Sequence, residues 1–281
     1  MSEYQQTFVI ERKEDGSSVN VNLFGGTVTS WKCCGEEMLF LSKNALFDNK
    51  KGIRGGIPIV FPHFGPWPIG PQHGFARIQM WEVEQLPSVD VSGNVVAIIA
   101  LVDNAETRKI WDFKFKLRMT LTLLKCCFSM DLHVTNTGDA EFNFTTLIHT
   151  YFRLPDVTKS RVLGLTGCKY FDKTTGQDIQ SETREQLSVD RNIDNIYANV
   201  PDELTLTGGP AGRTIKITKK GFPDTVVWNP WVDGAQKMAD FGDDEYPLML
   251  CVEVGHVVKK VSLAPAQEFH ASQTLQIQCP E

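Results

Sequence analysis

From Trp111 onward the chain alternates apolar and polar side chains with a period of two. Phe113, Phe115, Leu117, Met119, Leu121 and Leu123 fall on one side, and Asp112, Lys114, Lys116, Arg118, Thr120 and Thr122 on the other. Neighbouring side chains on a strand point to opposite faces, so the pattern predicts a strand with one buried and one wet face. After a turn at Lys125 the alternation resumes through Phe128, Met130, Leu132 and Val134, and Asn136-Thr137-Gly138-Asp139 closes it with turn-forming residues. Together these segments predict a long antiparallel hairpin.

Shorter stretches repeat the theme. Thr7 to Ile10, Ser18 to Phe24, Thr27 to Trp31 and Glu37 to Leu41 are β-rich runs punctuated by Gly-containing turns, and Trp81 to Gln85 leads into a further strand. Val95 to Leu101 is almost wholly apolar, as for a strand covered on both faces. From Glu141 to Phe152 a single strand is predicted, with Phe142, Phe144, Thr146 and Ile148 on one face and Asn143, Thr145, Leu147 and His149 on the other. Residues 164–199 read as a long excursion with short strands. Leu204 to Leu206 and Thr214 to Thr218 form a hairpin around the glycines at 208–212, and Thr225 to Trp228 is strand-like. Ala235 to Phe241 suggests a short helix. Leu248 to Val252 puts Leu248, Leu250 and Val252 on one face, and Met249, Cys251 and Glu253 on the opposite one. Val257 to Leu263 and Thr274 to Gln278 are the last strands. No repeat, heptad or linker divides the chain, so residues 1–281 are expected to form a single all-β domain, a large antiparallel sandwich or barrel with few short helices.

One stretch obeys neither period. Lys51 to Trp81 gathers Pro58, Pro62, Pro66, Pro68 and Pro71, the pair Gly55-Gly56, and a set of large apolar residues around Arg54, Gln72, His73 and Arg77. Proline fixes φ and removes a backbone donor, while Ile57, Phe61, Phe64, Trp67 and Phe75 argue against disorder. A stiff loop that holds a few polar side chains in place is the expectation.

Composition narrows the functions. With 42% hydrophobic and 22% charged residues among 281, the chain has ample material for a core, and its formal net charge of −6 disfavours a nucleic-acid-binding surface. The N-terminal residues lack the pattern of a secretory signal, and no apolar run approaches the ~18 residues of a membrane helix. The seven cysteines include the adjacent pairs Cys33-Cys34 and Cys126-Cys127, with no CxxC spacing, which points to reduced thiols and the cytosol. His63, His73 and His149 lack HxH or HxxxH spacing, so no metal is expected. Dinucleotide, P-loop and hydrolase-elbow motifs are absent, and Asp240 to Glu245 has the wrong spacing for an EF-hand.

His149 and Glu253 each lie opposite the apolar layer of their strands. An imidazole and a carboxylate can serve as a general acid–base pair, or each can be a hydrogen-bonded structural residue. Arg54 and Arg77 offer planar forks suited to phosphate or carboxylate oxygens, or can brace the loop through acidic partners.

Six segments then carry a resemblance. IRGGIPIVFPHFG (53–65), PQHGFAR (71–77), HTYF (149–152), VWNPW (227–231), MADFGDDEY (238–246) and CVE (251–253) occur in this order, and the chain resembles the hexose-6-phosphate mutarotases of the aldose 1-epimerase superfamily over nearly its whole length. The resemblance implies a galactose-mutarotase-like supersandwich with the sugar in a groove across one sheet. It implies His149 as general acid, Glu253 as general base, and Arg54, Gln72, Arg77 and Asp194 as substrate-binding residues, with His73 beside them. For that chemistry His149 is expected largely protonated and Glu253 ionised, in an acidic groove. The implied reaction interconverts the anomers of a hexose 6-phosphate, glucose 6-phosphate first, without metal or redox cofactor. The expected partner is a small sugar phosphate, with no nucleic acid, no membrane and the protein acting as a monomer. A non-catalytic carbohydrate-binding protein and an epimerase for unphosphorylated aldoses remain alternatives. Asn195 stands where relatives usually have arginine, and Pro265-Ala266 and Phe269 where they commonly have Pro-Gly and Trp.

Overall fold

The computed structural model describes residues 6–278. The strands, in chain order, begin with a four-stranded antiparallel sheet: β1 Thr7–Arg12, β2 Ser17–Asn22, β3 Thr27–Cys33 and β4 Glu36–Glu37. The next are β5 Ile59–Val60, β6 Glu82–Val89, β7 Val95–Val102, β8 Phe115–Leu124, β9 Cys127–Asn136, β10 Phe142–Ile148 and β11 Tyr151–Arg153. The excursion supplies β12 Arg161–Leu163, β13 Lys169–Asp172, β14 Gln180–Ser181, β15 Gln186–Leu187 and β16 Ile193–Ala198. The chain ends through β17 Glu203–Thr207, β18 Thr214–Lys220, β19 Asp224–Asn229, β20 Met249–Leu263 and β21 Glu268–Gln278. Two short helices, α1 Ala105–Ile110 and α2 Trp231–Ala235, interrupt them.

Two large sheets face each other. One runs β15-β12-β17-β18-β21-β9-β8-β7-β6, and the other β14-β13-β16-β19-β20-β10-β5, with β11 also on β20. The predicted hairpin is β8–β9, in register from Phe115↔Asn136 to Leu124↔Cys127, and its alternation is that of burial: Leu117, Met119, Leu121, Met130 and Leu132 are fully enclosed. They join Phe142, Phe144, Ile148, Val252 and Val254 of the second sheet, and Ile10, Val19 and Val21 of the first, in one continuous apolar cluster. This is a large antiparallel β-sandwich. Burying such side chains stabilises the fold by about 1.5–3 kcal/mol each, against the entropy of ordering them.

Several boundaries differ from the sequence expectation. The strand expected from Trp111 begins at Phe115, because Asn104 caps α1 through Glu106 N and Thr107 N and Trp111 becomes its C-cap. Trp111 and Phe113 instead pack on the Phe142 ring, at 4.9 and 5.7 Å. The helix expected at 235–241 is displaced to α2, where Asn229 Oδ1 accepts from Trp231 N; the following turns bury Phe241. Only Glu36–Glu37 of the 37–41 run is strand, with Leu39 and Leu41 making single bridges to Phe152 and Gly55. The strand expected over 141–152 breaks at His149-Thr150 into β10 and β11. The last two apolar runs before β21 fuse into the fifteen-residue β20.

The outer face of the second sheet matters most. Its face assignments follow the sequence: Ile148 and Leu250 belong to the sandwich core, while Leu147 groups with Val60 and Val226, and Cys251 with Tyr151 and Met249, on the other side.

Candidate active site

The 51–81 loop lies along this outer face. β5 pairs with β10 through Val60↔Leu147 and Ile59↔Ile148, fastening the loop to the sheet. Phe61 then turns into the core, its ring 6.2 Å from Phe75, 5.7 Å from Trp111 and 5.3 Å from Phe144. The Phe61 carbonyl accepts from both Phe75 N and Ala76 N. Gly74 makes that approach possible, since at φ +72° its Cβ would stand 2.1 Å from Phe61 O. Two regular-looking halves are thereby locked around an irregular turn that carries Gln72, His73 and Arg77.

All seven residues singled out from the sequence line one cavity of about 240 Å³: Arg54, Gln72, His73, Arg77, His149, Asp194 and Glu253. Six others complete its walls without having been assigned from the sequence, namely Phe64, Tyr151, Lys173, Val226, Trp228 and Met238. The signal for Tyr151 and Trp228 was present, since both fall inside the HTYF and VWNPW segments. Lys173 lay in the weakly patterned excursion and carried none.

His149 follows the last residue of β10, its amide donating to Pro58 O at 3.0 Å. The imidazole stacks on Tyr151 at 4.7 Å with 10° between planes and meets Trp228 edge-on at 6.2 Å. Its Nε2 lies 3.5 Å from Oε1 of Glu253, which is presented by β20, ten strands on from β10 in sequence but its neighbour in the sheet. Both side chains are buried, and neither His149 Nδ1 nor Glu253 Oε2 has a hydrogen-bond partner.

The cationic side of the groove is set by the loop. Arg54 reaches Asp240 through Nε and Nη2, each at 3.2 Å, and Nη1 donates to Tyr151 Oη at 3.2 Å. Arg77 Nη2 donates to Gln72 O at 2.8 Å. His73 Nδ1 accepts from Gly65 N at 3.2 Å, so this nitrogen carries no proton. On the opposite wall Asp194, paired with Trp228 across β16 and β19, receives Lys173 Nζ at 2.6 Å. Asn195 is the next residue on β16 and therefore faces away, buried against Tyr197, so the departure from the family arginine does not enter the groove.

The electrostatics correct one expectation. His149 was expected protonated and Glu253 ionised in an acidic groove. Instead burial pushes the His149 pKa well below its usual value, and His73, Arg77 and Arg54 push it further the same way. Burial raises Glu253 well above the usual carboxylate range, helped by Asp194 and opposed by Lys173 and Arg77. The groove is cationic rather than acidic, and it disfavours both charges of the ion-paired state. Burial and the Arg77 charge take His73 down to about 3, so it is neutral. Arg77 is itself lowered, first by burial and also by Arg54, and a bound anion relieves that cost.

The arrangement is a buried imidazole–carboxylate pair on the floor of a groove with guanidinium groups on its wall. A sequence model of the family described as aldose 1-epimerase matches residues 6–276. The chain belongs to the aldose 1-epimerase family. It is 37% identical over 268 residues to a Cenchrus ciliaris protein provisionally named glucose-6-phosphate 1-epimerase, which covers 93% of this chain and 82% of that one. A protein of the same provisional name from Escherichia coli is 31% identical, over 91% of this chain and 85% of its own. Among solved structures, a provisionally assigned mutarotase from Salmonella typhimurium superposes with a TM-score of 0.86 at 28% identity, covering 94% and 88% of the two chains. A galactose 1-epimerase from Lactobacillus acidophilus shares the fold, with a TM-score of 0.74 at 14% identity over 97% and 98%. As an aldose 1-epimerase family member the protein is an isomerase that acts on a sugar.

Proposed function

We propose that the protein interconverts the α and β anomers of a hexose 6-phosphate, glucose 6-phosphate foremost, by acid–base opening and closing of the ring. The observation that carries this reading is the His149–Glu253 pair, 3.5 Å apart on the groove floor, with the Arg54 and Arg77 guanidiniums on the adjoining wall. Glu253 takes the proton of the C1 hydroxyl while His149 gives one to the ring oxygen. The C1–O bond opens, the aldehyde turns about C1–C2, and reclosure with the transfers reversed yields the other anomer. An acid and a base each contribute roughly 10²–10⁴-fold.

The pair needs one shared proton, and the pKa directions of the empty groove favour its residing on Glu253. The phosphate corrects that distribution. A dianion against Arg54 and Arg77 cancels two of the charges that hold His149 low and one, that of Arg77, that opposes the rise of Glu253, so both groups become more basic and the balance moves towards the imidazole through Arg54, with Glu253 acting as base. Gln72, His73 and Asp194 supply hydrogen bonds to the sugar hydroxyls, with Lys173 keeping Asp194 charged against its burial. Residues 1–281 act as one domain, as a monomer in the cytosol; among the described residues no helix is long and apolar enough to cross a membrane.

The test is anomer exchange of glucose 6-phosphate and of glucose, followed by NMR or a coupled anomer-specific assay. Acceleration of the phosphorylated sugar well beyond glucose is expected. Equal acceleration of both would move the reading to unphosphorylated aldoses, and tight sugar-phosphate binding without acceleration would make the protein a binder.

A further inference from the structure

We propose that His149, Cys251 and Glu253 form a Zn²⁺-binding site in the groove floor whose occupation switches the anomer exchange off. One ligand atom from each of the three lies within 4.8 Å of the other two, and the imidazole-to-carboxylate separation is 3.5 Å. Zinc bonds of about 2.0–2.3 Å in a tetrahedron require ligand atoms roughly 3.3–3.8 Å apart, so only a small contraction is needed. Cys251 precedes Glu253 by two residues on β20, which puts both side chains on one face, and it pairs across the ladder with Tyr151, on which His149 stacks.

Two further observations point to a ligand. Glu253 Oε2 and His149 Nδ1 are buried without hydrogen-bond partners, so the donor set has unmet capacity. Cys251 has no part in the sugar chemistry, yet a thiol stands beside the pair where any apolar residue would fill the same space. Imidazole nitrogen, thiolate sulfur and carboxylate oxygen are all zinc donors, and three protein ligands leave a fourth position, which His149 and Glu253, both lining the groove, would turn towards it. The groove's charges allow it: Arg54 is held by Asp240 and Lys173 by Asp194, leaving Arg77 as the cation without a carboxylate partner in the cavity wall. On binding, the Cys251 thiol proton and any proton on Glu253 pass to solvent; Zn–S, Zn–N and Zn–O bonds form, and nothing is oxidised or reduced. Coordination takes the lone pair of the ligating His149 nitrogen and lowers the basicity of the Glu253 carboxylate, so the pair no longer exchanges protons with a sugar. This inhibitory consequence rests on the proposed function, whereas metal capture does not.

Cobalt(II) chloride and zinc chloride are the probes, because Cys33, Cys34 and Cys126 form a second thiol cluster that must be told apart. The purified protein should take up one equivalent of Co²⁺ with a sulfur-to-cobalt charge-transfer band. That band should vanish in Cys251→Ala and in Cys251→Val, which nearly preserves volume, and persist in Cys34→Ala. Zinc should slow anomer exchange, with EDTA restoring it. Either Cys251 variant should keep its zinc-free rate and need at least about tenfold more zinc for half-inhibition. A band undiminished by loss of Cys251 and lost in Cys34→Ala, or no uptake by the parent, overturns the site. Cobalt uptake through Cys251 with a zinc-insensitive rate overturns the inhibition. Absence of anomer exchange in zinc-free parent protein overturns the functional reading instead, and the cobalt spectrum still decides the site.

Discussion

Replacing Glu253 by glutamine separates the cost of the active site from its use. The carboxylate is 1% exposed, its nearest basic atom is 3.5 Å away, and Oε2 has no partner. Leaving a buried polar atom unpaired costs about 1–3 kcal/mol, more when it is charged. Glutamine keeps the shape and removes the charge, so Glu253→Gln should be more stable than the parent by about 1–3 kcal/mol at pH 8. At roughly 2–4 °C per kcal/mol for larger domains, the melting temperature should rise by several degrees. The same variant should lose about 10²–10⁴ in the rate of anomer exchange.

The pH dependence fixes the sign. The Glu253 pKa is raised in the folded protein from the ordinary 4.5, so above that pH the native state holds a proton the unfolded chain has released, and stability falls as pH rises. His149 works in the other window: its depressed folded pKa means the unfolded chain binds the extra proton below about 6.5, so stability rises with pH there. Melting curves from pH 5 to 8.5 in EDTA, which keeps the groove metal-free, should show the advantage of Glu253→Gln growing with pH. A variant no more stable than the parent at pH 8, or one that exchanges anomers within tenfold of the parent rate, refutes the reasoning.

His149→Gln should likewise lose about 10²–10⁴ in turnover, with circular dichroism unchanged, because its neighbours Tyr151 and Trp228 retain their packing. Arg77→Met should weaken glucose 6-phosphate by about 10- to 150-fold in KM without slowing glucose exchange, the worth of one charged hydrogen-bonding group; equal losses for both sugars would show that Arg77 braces the loop. Gly74→Ala puts a methyl 2.1 Å from the Phe61 carbonyl at a φ of +72°, so the loop must shift; a lower melting temperature and a raised KM should appear together. Ala266 sits at φ +61°, and Ala266→Gly should stabilise by up to about 1 kcal/mol in denaturant unfolding without touching activity.

The hairpin was readable because alternation is a local signal that burial later enforces: every second residue from Phe115 to Leu123 and from Phe128 to Val134 is enclosed and each residue between them is half-buried. Boundaries were readable only where turn chemistry was also local. Trp111 and Phe113 fit the alternation yet belong to a helix cap and a cross-chain aromatic cluster, because Asn104, seven residues upstream, sets a helix that periodicity at 111–123 cannot reveal. The break at His149-Thr150 is equally non-local. The loop feeds Pro58 O to the His149 amide, and Thr150 Oγ1 bonds Gln273 on the opposite sheet, so the strand is interrupted by partners distant in sequence.

The site divides along the same line. Which residues meet in the groove followed from ordered motifs and faces, because side-chain direction on a strand is a property of sequence position. Their protonation did not, because it depends on what the groove holds. Counted along the chain, the net charge is −6. Counted in space, Arg54, Arg77 and Lys173 converge on the pair, while Asp240 and Asp194 are engaged with two of them. A groove that disfavours the ion pair and a phosphate that raises His149 would make the charge of the substrate's phosphate a participant in the proton transfer at C1, not only an anchor. Arg54 and Arg77 would then set turnover as well as affinity, and inorganic phosphate added with glucose should raise the glucose exchange rate by filling the anion position. Inhibition by phosphate at every concentration would confine those arginines to binding.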